Sequence, residues 1–166
     1  MSRQARKNRL SLSFTLLELM VVVMILAIVA AVAVPMAVGT GDMQVISAAR
    51  MMSADLQYAQ NTAITTQRPI TVAFDTSAES YSLSNASEQL IHPITKEAYI
   101  VDFRSREGFT SLDVVSANFG GSASVAFDEL GAPNSSGSIT LRSGPHVYQI
   151  NVATATGKVT VIAVSP

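Results

Sequence analysis

Phe14-Thr15-Leu16-Leu17-Glu18-Leu19-Met20-Val21-Val22, with the apolar run that continues from it to Val34, decides how the rest of the chain is read. Leu19 to Val34 are sixteen consecutive apolar residues. As a helix rising about 1.5 Å per residue, Phe14 to Val34 covers about 30 Å, the thickness of a bilayer's hydrocarbon core. The segment is therefore expected to span a membrane. Glu18 is the one charge in it, and a carboxylate at membrane depth costs about 3 kcal/mol. At the headgroup level it would merely mark the start of the span; deeper, it needs a partner.

Upstream, Arg3, Arg6, Lys7 and Arg9 precede the run and no acidic residue does. A secretory signal peptide places its small-residue cleavage site after an apolar core of roughly 7–15 residues. Here the small cluster Ser11-Leu12-Ser13 comes before a longer run, so the order is not that of an ordinary signal peptide. The basic residues hold the N-terminus in the cytoplasm, which puts the chain beyond residue 40 on the other side.

The 166 residues allow one ordinary domain plus an appendage, which leaves no room for a multi-domain enzyme. A mean hydropathy of +0.33 is concentrated near the N-terminus, since residues 67–146 are an ordinary polar-apolar mixture. The formal net charge of -1 hides an asymmetry: from Phe14 onward, seven Lys and Arg face twelve Asp and Glu. That acidic remainder offers no footprint for nucleic acid. With no cysteine, disulfides and thiolate metal sites are excluded.

Downstream, Val45, Ala49, Met52, Leu56, Ala59 and Ala63 alternate at spacings of four and three, the stripe of an amphipathic helix that should cover a sheet. Asp42, Ser47, Arg50, Asp55 and Gln57 are expected on the opposite side. Pro35, Gly39 and Gly41 predict a bend or unwound stretch between the apolar run and this stripe, and Arg68-Pro69 ends the helix near Thr66. Thereafter short alternating runs read as strands: Ile70, Val72, Phe74; Tyr99, Val101, Phe103; Val125, Phe127; Ile139, Leu141; Tyr148, Ile150, Val152. Gly120-Gly121, Gly131-Ala132-Pro133 and Asn134-Ser135-Ser136-Gly137 supply turns. Val147–Val152 and Lys158–Val164 look like a hairpin closed around Thr156-Gly157.

Ser13 to Val22 resembles the processing site of type IV pilins and type II secretion pseudopilins. The resemblance implies that a prepilin peptidase cuts between Ser13 and Phe14 and that the new amine of Phe14 is methylated. It also implies that Glu18 is neutralised by the N-terminal amine of a neighbouring subunit, and that Pro35 is the family's helix-bending proline. Ser13 replaces the usual Gly, a small residue expected at most to slow the cut. Leu56 to Ile64 with Arg68 to Val72 looks like the helix-to-first-strand junction of the general secretion pathway protein H and FimT-like (GspH/FimT) family. Phe127-Asp128-Glu129-Leu130-Gly131 and Thr156-Gly157-Lys158-Val159 are similar to that family's Phe-Asp-x-x-Gly and Thr-Gly-x-Val elements.

The fold so implied is α+β and type IV pilin-like, a long N-terminal helix packed on an antiparallel sheet or sandwich head. Its expected parts are a basic leader over 1–13, a transmembrane helix over 14–41, an amphipathic half over 42–66 and a periplasmic β-rich head over 67–166. The function implied is that of a minor pseudopilin, priming or capping the periplasmic pseudopilus of a type II secretion system. The alternative is a FimT-like minor pilin of a type IV pilus, acting in biogenesis, adhesion or DNA uptake. Partners would be other pseudopilins or pilins through the helix, the prepilin peptidase, the inner-membrane assembly platform and the bilayer. Localisation would be single-pass in the bacterial inner membrane.

Chemistry has little purchase elsewhere. His92 and His146, each beside a proline, have no ligand spacing around them and read as loop residues. Asp128-Glu129 reads as a turn leading to Gly131 rather than an acid-base pair. Asn85-Ala86-Ser87 and Asn134-Ser135-Ser136 match the glycosylation triplet only as Ser-rich loops often do. Met20, Met24 and Met36, with Ala27, Ala30, Ala31 and Ala33, read as packing surface for neighbouring helices and lipid. No cofactor, metal or catalytic residue is expected.

Overall fold

The structure, a computed structural model, describes residues 15–38 and 40–164, with side chains over 15–31 and from 41 onward. The chain divides into two compact units, residues 1–38 and 39–166. In the first, α1 runs over Leu16–Val38. Thr15 caps it: its hydroxyl accepts the Glu18 N–H at 3.2 Å and its carbonyl the Leu19 N–H at 3.1 Å, satisfying donors that a helix start leaves unpaired. Every described side chain on α1 is exposed, Leu16 by 77 %. A helix apolar on all sides is stable only when lipid or other helices cover it. Among the described residues no helix is long and apolar enough to cross a membrane. The span expected over 14–41 includes Phe14, Gly39 and the side chains of 32–40, which lie outside that description, as does the expected bend at Gly39.

The second unit opens with α2, Thr40–Thr66. Its expected stripe is the core: Val45, Ala49, Met52, Leu56, Ala59 and Ala63 are fully buried, joined by Ala48. The helix ends where Gln67 turns left-handed, at φ 51°, and Arg68 N–H reaches the Ala63 carbonyl at 3.3 Å. This is the Schellman closure, with Gln67 where glycine is usual.

Among the described residues eight strands follow, in two antiparallel sheets. β1 (Ile70–Asp75), β2 (Ser80–Ser84), β3 (Ile100–Asp102) and β5 (Ser124–Phe127) form one, in the order β3-β2-β1-β5. β4 (Leu112–Phe119), β6 (Gly137–Ser143), β7 (His146–Val152) and β8 (Val159–Val164) form the other, in the order β4-β6-β7-β8. The stripe of α2 packs against strands of both sheets. Val72, Leu83, Val125, Phe127, Ile139, Leu141 and Ile150 complete the core beneath it.

Three expectations need correction. Asp55 is not on a solvated face: its carboxylate accepts the hydroxyls of Tyr81 and of Tyr99, the latter at 3.0 Å. Asp42 also accepts from the Tyr148 hydroxyl at 3.2 Å, so it touches the sheet while its side chain stays 48% exposed. Asp55 is held against the sheet because two tyrosine donors meet it there. His146 opens β7 rather than sitting in a loop. Two strands also escaped the reading of the sequence. β2 hides its alternation among serines, with only Tyr81 and Leu83 pointing in. In β4 a register shift between Val114 and Ser116 moves the buried side from Leu112 and Val114 to Phe119, which destroys the two-residue period.

Candidate assembly site

The site expected from the sequence lies on the first turn of α1. Glu18 occupies the third helical position after Thr15, the place where Thr-x-x-Glu forms a capping box. Its backbone completes the Thr15 cap, and its side chain is exposed among the apolar residues Leu17, Leu19 and Val21. A carboxylate at a helix N-terminus is favoured by the macrodipole. Nothing on its own helix supplies a full positive charge, since no basic residue falls within Leu16–Val38. The arrangement presents one carboxyl group on the described part of an otherwise apolar rod. Ser13 and Phe14 lie outside the described residues, as does the side chain of Pro35.

On the second unit, three polar ties fix surfaces that sequence reasoning did not single out. Gln60 of α2 donates to the carbonyls of Gly131 and Thr156 at 2.7 and 2.9 Å. At the start of α2, Gln44 accepts the Ser111 hydroxyl at 2.7 Å, and Ser111 lies 2.8 Å from the Ser143 hydroxyl. In the β1–β2 turn, Glu79, at φ 52°, accepts the N–H of Val114 at the β4 irregularity. Gln60 falls within the helix-to-strand stretch already marked by its resemblance. The others carried no local signal, because their partners are 35 and 67 residues away in sequence.

The remaining candidates for chemistry are structural. Asp128 accepts the N–H groups of Leu130 and Ala132 at 2.9 and 2.8 Å, organising the turn to Gly131. Nδ1 of His92 accepts from Ile94 and Thr95, both at 3.2 Å, and its ring lies against Tyr99. His146 Nδ1 is 3.7 Å from Asp42. Burial, then the charge of Asp55, holds the Tyr81 and Tyr99 hydroxyls protonated well above the usual tyrosine range. Desolvation and Asp42 act on Tyr148 in the same direction. These hydroxyls are fixed donors. Asp75 is held below the usual carboxylate range, first by the Ser77 hydroxyl and then by the Ala78 N–H. Among the described residues no three metal-ligating side chains come together.

Comparison with known proteins bears on both units. A family model described as type II transport protein GspH matches residues 48–157. A second, the prokaryotic N-terminal methylation motif, matches residues 9–34. Among curated proteins none matches the chain. Among solved structures, the minor pseudopilin EpsH from the type 2 secretion system of Vibrio cholerae is similar, with a TM-score of 0.53 at 10% identity over 72% of this chain and 97% of that one. The type IV minor pilin FimU of Pseudomonas aeruginosa gives a TM-score of 0.52 at 18% identity over 71% of this chain and 87% of that one. At such identities the likeness speaks to the fold, which is type IV pilin-like.

Proposed function

Since the chain belongs to the family of the type II transport protein GspH, we propose that it is a minor pseudopilin, a structural subunit that primes or caps the periplasmic pseudopilus of a type II secretion system. The observation that carries this reading is α1, an exposed apolar rod whose single carboxylate has no basic partner on its own helix. In the reading, the leader is removed between Ser13 and Phe14, the new amine is methylated, and that amine on a neighbouring subunit neutralises Glu18. An ion pair in an apolar surround adds little net stability, but removing one partner strands the other, so it acts as a register device. Before assembly α1 spans the inner membrane, with residues 1–13 cytoplasmic and the β-rich unit periplasmic. Pro35 bends the rod. The subunit does no chemistry; its partners are other pseudopilins, the prepilin peptidase and the assembly platform.

A FimT-like role in a type IV pilus uses the same fold and the same processing, and differs in the filament entered. A DNA-binding version of that role is disfavoured by the acidic balance from Phe14 onward and by the engagement of three of the arginines. Arg104 is tied to the Ser77 carbonyl and Glu79, Arg106 reaches the Met51 sulfur, and Arg142 is paired with Asp113.

The test is mass spectrometry of the protein from a peptidase-competent host, which should find N-methylated Phe14 as the first residue. Glu18→Ala should insert into membrane normally yet be depleted from purified pseudopili. A retained leader in working filaments, or undiminished incorporation of Glu18→Ala, overturns the reading; incorporation into pili but not pseudopili transfers it to the pilus.

A further inference from the structure

Among the described residues the two sheets leave four edges: β3 and β5 in one, β4 and β8 in the other. An open edge offers unpaired N–H and C=O groups to any extended chain, and folds usually obstruct it. Three of these edges are obstructed. On β5, Asn134 exchanges hydrogen bonds with Ala126, N–H to carbonyl at 2.8 Å and Oδ1 from N–H at 3.0 Å, while Pro133 bridges to Phe127. On β4, the ladder is interrupted between Val114 and Ser116, and Glu79 occupies the Val114 N–H. β3 has only three residues, and its Asp102 folds onto the Arg104 N–H at 2.8 Å.

β8 has none of these devices. Val159-Thr160-Val161-Ile162-Ala163-Val164 contains no charge and no proline, and it pairs with β7 through six successive positions without a register shift. In an antiparallel ladder alternate residues direct their backbone groups away from the partner, so half of this strand faces outward unpaired. Val159 and Val161 pack toward the core, whereas Ile162 and Val164 are 46% and 40% exposed.

We propose that β8 is an acceptor edge, which takes an extended segment of another polypeptide as an added strand. The row of backbone groups requires an extended occupant. Ile162 and Val164 call for apolar or β-branched residues at alternate positions. Lys158, exposed at the strand's start, calls for a carboxylate at the adjoining end. A second copy of β8 fits less well, because no side-chain carboxylate lies in or beside the strand, from Ala153 to Pro166, to set against Lys158, and parallel pairing would put the two lysines side by side. Six residues bury far less than the roughly 1,200 Å² of a stable interface. The contact is therefore weak alone and effective where the donor is already held nearby.

The inference is independent of the filament reading, since either stands if the other fails. It is tested with the full chain in detergent micelles and a blocked, fluorescent peptide of alternating valine and threonine that ends in glutamate. Fluorescence polarisation should show saturable binding, weakened at least about tenfold by Ile162→Lys, and amide exchange should slow in β8 on addition of peptide. Lys158→Glu should reverse the preference toward a lysine-ended peptide. Thr160→Lys, also on the exposed side, serves if Ile162→Lys does not fold. Absence of saturable binding, binding unaffected by both lysine variants, protection at β3 instead, or a dimer of the chain paired through β8 overturns the proposal.

Discussion

The side-chain amide of Gln60 donates to the carbonyl of Gly131 at 2.7 Å, and the same nitrogen holds the Thr156 carbonyl at 2.9 Å. Two turns far apart in sequence thus meet on one helical residue. Both turns need their glycines, because Gly131 and Gly157 are left-handed, at φ 82° and 62°. Space agrees with conformation: a Cβ on Gly131 would stand 2.7 Å from Ile64 Cδ1, and one on Gly157 would collide with the Gln60 amide.

Gln60→Ala should accordingly lower the stability of the β-rich unit by about 1–3 kcal/mol, a fall of about 3–15 °C in Tm. Gly157→Ala should cost more, since it adds a steric collision to the backbone penalty. Differential scanning calorimetry of the two variants checks the order; a Gln60→Ala chain that melts with the parent removes the amide from its role.

Glu79 combines a left-handed backbone with a carboxylate bound to the Val114 N–H. Glu79→Ala keeps the backbone penalty and loses the bond, while Glu79→Gly loses the bond and relieves the penalty. Urea denaturation should find both less stable than the parent, with glycine better than alanine by about 1 kcal/mol. Equal midpoints for the two would show that the turn carries no strain.

Gly137 faces Phe119 across β6 and β4, and a Cβ there would collide with the Asn118 carbonyl and the Phe119 ring. Gly137→Ala should therefore lose more than about 2 kcal/mol, as overpacking in a core does. Its signature is altered near-ultraviolet circular dichroism with retained helix signal. A variant as stable as the parent would mean that the pair of strands separates freely.

Stability should also fall at high pH, and tyrosine sets the direction. Burial and Asp55 keep Tyr81 and Tyr99 protonated in the folded chain beyond the range where free tyrosine ionises. The unfolded chain loses these protons near pH 10. Above that pH the folded state binds more protons, so stability is fully present below it and declines as pH rises past it. Urea midpoints measured between about pH 9 and 11 should drop, and Tyr99→Phe should flatten the drop. A profile unchanged by that substitution would place the cause elsewhere.

Much of this was legible in the sequence because it rests on local periodicity. The α2 stripe from Val45 to Ala63, the strands around Val72, Val125, Ile139 and Ile150, and the final hairpin each repeat at the spacing of their element. β2 was obscured because serine fills its exposed positions, and β4 because one extra residue reverses its inward side. Asp55 was misplaced for a different reason. Its position near the stripe is ambiguous until two tyrosines from separate strands arrive to claim it, and no spacing within the helix announces them. The same holds for Gln60, Glu79 and Asn134, whose meaning lies in carbonyls and N–H groups that only the assembled sheets bring near. Glu18 and its apolar surround were read directly, since a lone acid in a long greasy run is conspicuous without any tertiary information.

The tie between Gln60 and Thr156 joins positions 96 residues apart, and the stripe of α2 lies against β1 as well as against β6, β7 and β8. A ribosome therefore finishes this helix well before it produces most of the strands that shelter it. A nascent chain carries part of that stripe uncovered until those strands emerge, an interval in which proteases and chaperones can reach it.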